Sequence, residues 1–413
     1  MSFIVQKYGG SSVADLERVR HVAFRVKQYW ELGHQLVVVV SAMGKTTDQL
    51  LHMAFEVHPR PPERELDMLL ATGEQISVSL LSITLDALGI DSISLTGGQA
   101  GIITSDFYTR AKILRIHSAR IRSHLAEGKV VIVAGFQGKT SNEDITTLGR
   151  GGSDATACAL AAALGADFCE IFTDVNGVFT ADPRIVPQAR KIHRISYDEM
   201  AEMASLGARV LQLRAVDFSQ KYGVRVHVRS TFSEEEGTWV EEVDTMEEVK
   251  VRAITHSRDL VKVVLLGVPN EPGVAARIFK VLAENMVSVD MIIQSEGSEA
   301  QNQKDFAFVV SKEDERKTRG ALSDLGRVLL FQGQKFDDSV TRVSVVGVGI
   351  MSDSSIAHRI FRILGKCGIN IDMISTSNLR ISCLIPAERM EDAVRALHGE
   401  FLEDEEVTLN EDF

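Results

Sequence analysis

The stretch VVVVSAMGKTTD, Val37–Asp48, decides how the first half of the chain is read. Four consecutive valines suit a strand buried on both faces, as in a parallel sheet covered by helices. Gly44-Lys45-Thr46 then looks like the end of a phosphate-cradling loop, G-x-x-x-x-G-K-[ST]. In that motif the first glycine makes the tight turn, and five residues before Gly44 stands Val39, inside the strand. Gly138-Lys139-Thr140 fails in the same way, with Val133 at that place. Any phosphate must therefore be held by other residues.

Working outward, FIVQKYGG, LVVVVSAM, DSISLTGG, VVIVAGFQG and FCEIFTDVNG are apolar runs that each end in glycine or a polar turn. Helical patterns such as LERVRHVAFRVKQYW and TACALAAALG separate them. Alternating strands and helices of this kind predict an α/β layer with a mostly parallel sheet. Ligands in such sheets bind beyond the carboxyl ends of the strands, where these glycines and small polar residues fall.

The pattern changes near Thr231, where TFSEEEGTWVEEVDTMEEVK is acidic and reads as a connector. Beyond it the chain repeats: RIFKVLAENMVSVDMI (Arg277–Ile292) aligns without a gap to RIFRILGKCGINIDMI (Arg359–Ile374), 82 residues later. Each copy follows a strand and a turn and leads into another strand and helix, so a small α+β unit occurs twice. The expected division is 1–230 for the α/β part, 231–258 for a connector able to lend a strand to the second small unit, then 259–337 and 338–413 for the two copies.

At 413 residues the chain is long enough for two or three cores. Its net charge of −12 argues against nucleic acid as a general partner. The four cysteines show no C-x-x-C spacing, the first ten residues hold no long apolar segment, and no uninterrupted apolar run reaches the roughly 20 residues that span a bilayer. A cytoplasmic protein with reduced thiols is expected, without nucleic-acid or membrane partners.

Three stretches could carry chemistry. KYGGSSV (Lys7–Val13) offers a lysine at a strand end, two glycines that permit close backbone approach, and hydroxyls; it could equally be a glycine turn with a helix cap. TTLGRGGSDATACALAAALG (Thr146–Gly165) places Arg150, Gly151 and Gly152 before Ser153-Asp154 and a small-residue helix, whose N-terminus suits an anion; Ser153 or Asp154 also suits a plain N-cap. TDVNGVFTADPR (Thr173–Arg184) is a strand end, an Asn176-Gly177 turn and Asp-Pro-Arg, either a nucleotide loop or a simple connection. Glu74 in ATGEQIS sits at a helix start. The histidines are scattered, with no H-E-x-x-H, and no metal site is expected.

Taken in order, KYGGSSV, SAMGKTTD, ATGEQIS, GFQG, TTLGRGGSD and TDVNGVFTADPR resemble the motif set of the aspartate kinase family, and the repeat resembles that family's paired ACT regulatory domains. The resemblance covers nearly the whole chain. It implies an amino-acid-kinase αβα sandwich with a mostly parallel central sheet, followed by two ferredoxin-like βαββαβ ACT domains. It implies phosphoryl transfer from Mg2+-ATP to the side-chain carboxylate of L-aspartate, opening lysine, threonine and methionine biosynthesis.

By the same resemblance Lys7 and Asp154 are catalytic. Ser41, Thr47, Glu74, Phe136, Arg150, Gly151, Gly152 and Ser153 hold aspartate, with Glu74 on its ammonium and Arg150 on its α-carboxylate. Lys7, Tyr8, Gly9, Gly10, Ser11, Thr173, Asp174, Phe179, Asp182, Arg184 and Arg209 meet ATP. Lysine, threonine or both would bind Asn270, Gly273, Val289, Asp290 and Gln294 in one copy and Ile356, Ala357, Asn370, Ile371 and Ser377 in the other. The resemblance further implies a homo-oligomer paired through ACT domains and an internal start at Met246 that yields a small subunit. Asn176 stands where the family commonly has Asp, and Asn270 where it often has Asp beside the effector.

Overall fold

A computed structural model describes residues 2–149, 151–207, 210–243, 250–295, 302–326 and 329–403. By its internal contacts the chain forms two units. The first takes in most of residues 1–245; the second takes in the remainder together with Phe179–Arg190.

In the first unit the chain runs β1 (Phe3–Tyr8), α1 (Leu16–Glu31), β2 (Gln35–Val40), α2 (Thr46–Val57), α3 (Glu63–Leu70), α4 (Thr72–Ala87), β3 (Ser92–Leu95), β4 (Ile102–Thr104), β5 (Ile113–Ile116), α5 (Ala119–Ala126) and β6 (Val130–Ala134). It continues through β7 (Gln137–Lys139), β8 (Ile145–Thr147), α6 (Gly152–Leu164), β9 (Phe168–Thr173), β10 (Arg194–Ile195), α7 (Tyr197–Ser205), α8 (Leu213–Tyr222), β11 (Val226–Ser230) and β12 (Thr238–Val240). Eight strands form one sheet in the order β10-β12-β11-β9-β1-β2-β6-β3. All its pairings are parallel except β11 with β12. The valines of β2 are buried on both faces, as their run predicts.

Local chemistry sets the helix positions. Asp15 caps α1 by accepting from the Arg18 N–H at 2.9 Å. Helix α6 is buried along nearly its whole length, which its alanines, Cys158 and Gly152 permit by letting it lie close to the strands. Gly151 before it and Gly165 after it both take positive φ, +74° and +70°. Strand β12 belongs to the large sheet, so the first unit runs past the boundary expected at residue 230. A second small sheet, β5-β4-β7-β8, flanks it. Helices α3 and α4 together make a stretch, Glu63–Ala87, apolar and long enough to cross a bilayer by composition; 44% of its most apolar window is buried inside the protein.

The second unit contains β13 (Lys250–Ser257), β14 (Leu260–Pro269), α9 (Val274–Glu284), β15 (Val289–Gln294), β16 (Gln303–Ser311), α10 (Glu315–Leu325), β17 (Gly333–Asp337), β18 (Val340–Val348), α11 (Ser354–Lys366), β19 (Met373–Ser377), β20 (Arg380–Pro386) and α12 (Met390–His398). They form two antiparallel sheets, β15-β16-β14-β17 and β13-β18-β20-β19. Strand β13 precedes the first copy in sequence yet pairs with β18 of the second. The copies share an apolar seam of Leu260, Met291 and Val309 with Val340, Met373 and Leu384. Asp290 pairs with Arg342, and lies 3.7 Å from Arg380, while Lys262 pairs with Asp372 at 2.8 Å. Each copy's strand-start aspartate thus meets a basic residue of the other copy.

The 179–190 segment is held inside this second unit. The Thr180 hydroxyl lies 3.0 Å from His398 Nε2, Arg190 donates to the Leu402 carbonyl at 2.7 Å, and Arg395 donates to the Ile185 carbonyl at 3.0 Å.

Candidate active site

The carboxyl ends of β1, β2 and β6, together with the start of α6, open onto a cleft of about 290 Å³. Lys7, Gly10, Ser41, Ala42, Gly44, Thr47, Glu74, Phe136, Gly149, Gly151, Gly152, Ser153, Asp154 and Gln212 line it. Strand alternation explains Lys7. Ile4, Tyr8 and Phe172 join the core beneath α1 and α4, so the intervening Lys7 faces the opposite way, toward α6. There its Nζ lies 2.5 Å from Asp154 Oδ1, with both side chains about nine-tenths buried. Gly10 is required by crowding: a Cβ there would stand 2.9 Å from the Ala42 carbonyl oxygen. The Gly44 N–H donates to the Gly10 carbonyl at 3.0 Å, tying the KYGG turn to the SAMG turn.

Glu74 is the unusual group. It is 2% exposed, its Oε1 accepts from the Ala42 N–H at 3.1 Å, and its Oε2 is buried with no hydrogen-bond partner among the described residues. Burial pushes its carboxyl up to about 7, against the smaller opposing effect of backbone hydrogen bonds. An orphaned buried oxygen of this kind fits the ammonium of a ligand. Phe136 holds a positive φ of +67°, and its N–H donates to Thr156 Oγ1 at 3.2 Å, which anchors the pocket rim to α6. A Cβ on Gly135 would stand 2.8 Å from Ser153 Cβ, so the strand end and the helix start touch through glycine.

Of the residues expected to hold aspartate or catalyse, Lys7, Ser41, Thr47, Glu74, Phe136, Gly151, Gly152, Ser153 and Asp154 converge here. Arg150, Arg209 and Met246 lie outside the described residues. Among the expected ATP contacts, Gly10 lines the cleft, and a Cβ on Gly9 would lie 3.4 Å from Lys7 Nζ. The Tyr8 side chain is buried in the core, stacked on Phe172 at 4.7 Å, which leaves only its backbone for a ligand. Ser11 is exposed, and Thr173 Oγ1 bonds to Asp174 at 3.1 Å at the end of β9. Phe179, Asp182 and Arg184 belong to the second unit, where Asp182 and Arg184 pair at 2.6 Å.

Of the expected effector contacts, Ile356 is core, with Ala357 and Ile371 packed against that core. Asp290 is engaged by Arg342. Asn270, Gly273, Gln294 and Asn370 are exposed, and Val289 and Ser377 half-buried. The sequence reading missed Ala42, Gly44, Gly149 and Gln212. The first three lie inside the motifs SAMGKTTD and TTLGRGGSD but were given no role; Gln212 stands alone.

The comparisons agree with this geometry. Residues 2–230 match the amino acid kinase family, and residues 262–329 and 343–401 each match the ACT domain. An aspartokinase of Thermus thermophilus is 49% identical over 97% of this chain and 99% of its own. Among solved structures, E. coli aspartokinase III in complex with aspartate and ADP, in the R-state, superposes with a TM-score of 0.82 at 25% identity, covering 96% of this chain and 99% of its own. The same enzyme with lysine and aspartate, in the T-state, gives 0.75 at 25% identity, over 97% and 99%. With its mostly parallel sheet, its cleft beyond the strand ends and its two ACT units, the chain belongs to the aspartokinases of the amino acid kinase family.

Proposed function

We propose that this chain transfers the γ-phosphoryl group of ATP to the side-chain carboxylate of L-aspartate, giving 4-phospho-L-aspartate and ADP. The observation that carries the reading is the orphaned Glu74 carboxylate oxygen in the same cleft as the buried Lys7–Asp154 pair. The cleft thus presents both a group that calls for an ammonium and a fixed cation.

An aspartate oxygen attacks the γ-phosphorus, and the bond to the β,γ-bridging oxygen breaks with its electrons going to ADP. A carboxylate is already ionised at neutral pH, so the reaction needs no general base. Positioning and neutralisation of charge carry the catalysis. Lys7 neutralises the transferring group, and Asp154 fixes the lysine's position. The free N–H groups at the start of α6 favour an anion. Arg150 would add a bidentate clamp on the α-carboxylate, and Ser41, Thr47, Phe136 and Ser153 frame the acceptor. Mg2+ would travel with the nucleotide, since it is commonly held by substrate phosphates with one or two carboxylates; Asp154 is the carboxylate at hand.

Tyr8, Gly9, Gly10 and Ser11 would serve the phosphates through their backbone. Thr173, Asp174, Phe179, Asp182, Arg184 and Arg209 are assigned to the nucleotide. Lysine, threonine or both would act as inhibitors through the ACT units, in a cytoplasmic homo-oligomer with a small subunit begun at Met246. Two properties support this reading. Lysine accompanies the T-state of the E. coli relative, and all four cysteines here are free thiols. The test is ADP release dependent on aspartate, with acetylglutamate, glutamate and UMP as competing acceptors and with lysine and threonine singly and together. Release with any of those three but not with aspartate would overturn the acceptor; indifference to both amino acids would overturn the feedback.

A further inference from the structure

Gln212 belongs to none of the motifs above, yet its side chain forms part of the cleft wall beside Gly151. It occupies the N-cap position of α8, where the side chain makes no capping hydrogen bond, so its carboxamide is not consumed by the helix. Instead it lies across the glycine hinge that starts α6. A Cβ on Gly151 would stand 2.4 Å from Gln212 Cγ, 2.6 Å from its Cβ and 2.9 Å from its Cδ. Glycine at 151 is thus needed twice, for a φ of +74° and for room to seat the glutamine.

The start of α8, which carries this side chain, is held in place. Arg214, two residues on, donates to the Leu148 carbonyl and, at 3.1 Å, to the Ala111 carbonyl. Those bonds fix the start of α8 against the strand that feeds the hinge. Ala215, Val216 and Ser219 are buried on the same helix.

We propose that Gln212 is a specificity-determining residue whose carboxamide N–H donates to the α-carboxylate of the amino-acid acceptor bound at the start of α6. A neutral donor beside a helix N-terminus favours a carboxylate there without attracting further cations, and its N–H bonds an ionised carboxylate more strongly than the neutral oxygen of an amide. The inference rests on the aspartate-kinase reading and extends it to one side chain.

The experiment compares wild type with Gln212→Ala and Gln212→Glu in the full chain, using L-aspartate, its α-amide and ATP. Folding is checked by thermal melting. Losing one hydrogen bond to a charged group should raise KM for aspartate about ten- to a hundredfold in Gln212→Ala, with KM for ATP within about twofold. Gln212→Glu keeps the shape but sets like charge against the α-carboxylate, so its KM for aspartate should rise further while the preference for aspartate over the α-amide narrows or reverses. A purely structural glutamine would not move that preference.

If both variants keep the wild-type preference, or if KM for ATP rises in step with KM for aspartate, the inference falls. A wild-type enzyme that uses aspartate alongside such variants refutes only the role of Gln212. A wild type inert toward aspartate refutes the reading beneath it.

Discussion

Two glutamates of the first unit are equally buried, each 2% exposed, and opposite in their surroundings. Glu170 on β9 is saturated. Its Oε2 accepts from Gln6 at 2.9 Å, and its Oε1 accepts from Tyr29 at 3.0 Å and Arg229 at 3.4 Å, with His227 Nδ1 at 3.6 Å. Burial alone would raise its pKa, but these partners outweigh it and hold the carboxyl below its usual value. Glu74 on α4 has the Ala42 N–H on one oxygen, no partner among the described residues for the other, and a carboxyl pushed up to about 7. Burial is common to both, so burial does not mark the site. What differs is the missing partner: among the described residues Glu74 has none for its second oxygen, which we propose a ligand supplies, whereas the network around Glu170 ties α1 to the sheet.

The largest effect that would break this comparison is on stability. Glu170→Ala strands Arg229 and His227 in the interior, and removing one partner of a buried charged cluster typically costs about 3–5 kcal/mol. Chemical denaturation should show that loss, while KM for aspartate in the folded fraction stays within about twofold. A large KM effect with little change in stability would make Glu170 part of the site after all.

Next comes Lys7→Ala. A preorganised charge aimed at the transferring group is typically worth about 100- to 1000-fold in kcat. The variant also leaves Asp154 without its cation, so melting must be followed alongside. A fall in kcat of less than about tenfold in a folded variant would show that Lys7 does not act on the phosphoryl group.

The contrast also shows what was legible in the sequence. Five apolar runs and the 82-residue repeat foretold the parallel sheet and a small α+β unit occurring twice, because buried strands and helix faces impose their periods on the chain; that these units are ACT domains came from the resemblance. Strands β4, β5, β7 and β8 have only three or four residues each and no apolar run of their own, so that small sheet was invisible. Motif glycines pointed to the cleft. Gln212 could not be found this way, since a lone amide at a helix start carries no spacing; the one trace of it is the glycine at 151 that makes room for it. The assignment of Phe179–Arg190 to the second unit was equally hidden, because contacts such as Thr180 with His398 join positions far apart in sequence.

Glu74→Gln sharpens the comparison through pH. Aspartate's ammonium needs the ionised carboxylate, so below about pH 7 each unit of acidification should weaken aspartate binding roughly tenfold in wild type. The glutamine variant should have a KM for aspartate about ten- to a hundredfold higher near pH 8 and nearly flat with pH. Stability of the ligand-free protein runs the other way. Folded Glu74 keeps its proton up to about pH 7, while the unfolded chain releases it near the ordinary glutamate value of 4.5. Between those values the folded state binds more protons, so stability falls as pH rises through the window, by on the order of 3 kcal/mol in all. Glu74→Gln removes that loss and should melt higher than wild type above pH 7. A lower melting temperature there would mean that Glu74 already has a partner in the free enzyme.

The smallest expected effect belongs to the second unit, and it tests whether a missing partner is the right criterion. Asp290, expected as an effector contact, is paired with Arg342 and lies near Arg380, while its counterpart Asp372 pairs with Lys262. Both aspartates are about one-third exposed, 37% and 35% at the side chain, so water screens them and neither pair resembles the sealed cluster of Glu170. Arg342 is 4% exposed and Lys262 22%, which makes the first pair the costlier to break. Asp290→Ala should lower stability by about 1–2 kcal/mol and Asp372→Ala by about 0–1 kcal/mol, both with uninhibited kcat near wild type. If Asp290 serves only to join the copies, the concentration of lysine or threonine giving half inhibition should move by the same small factor in the two variants. A shift confined to Asp290→Ala, and larger than its stability loss accounts for, would show that an effector displaces Arg342 to reach this carboxylate. The site would then be one that is filled by protein until a ligand competes for it, the opposite design to Glu74.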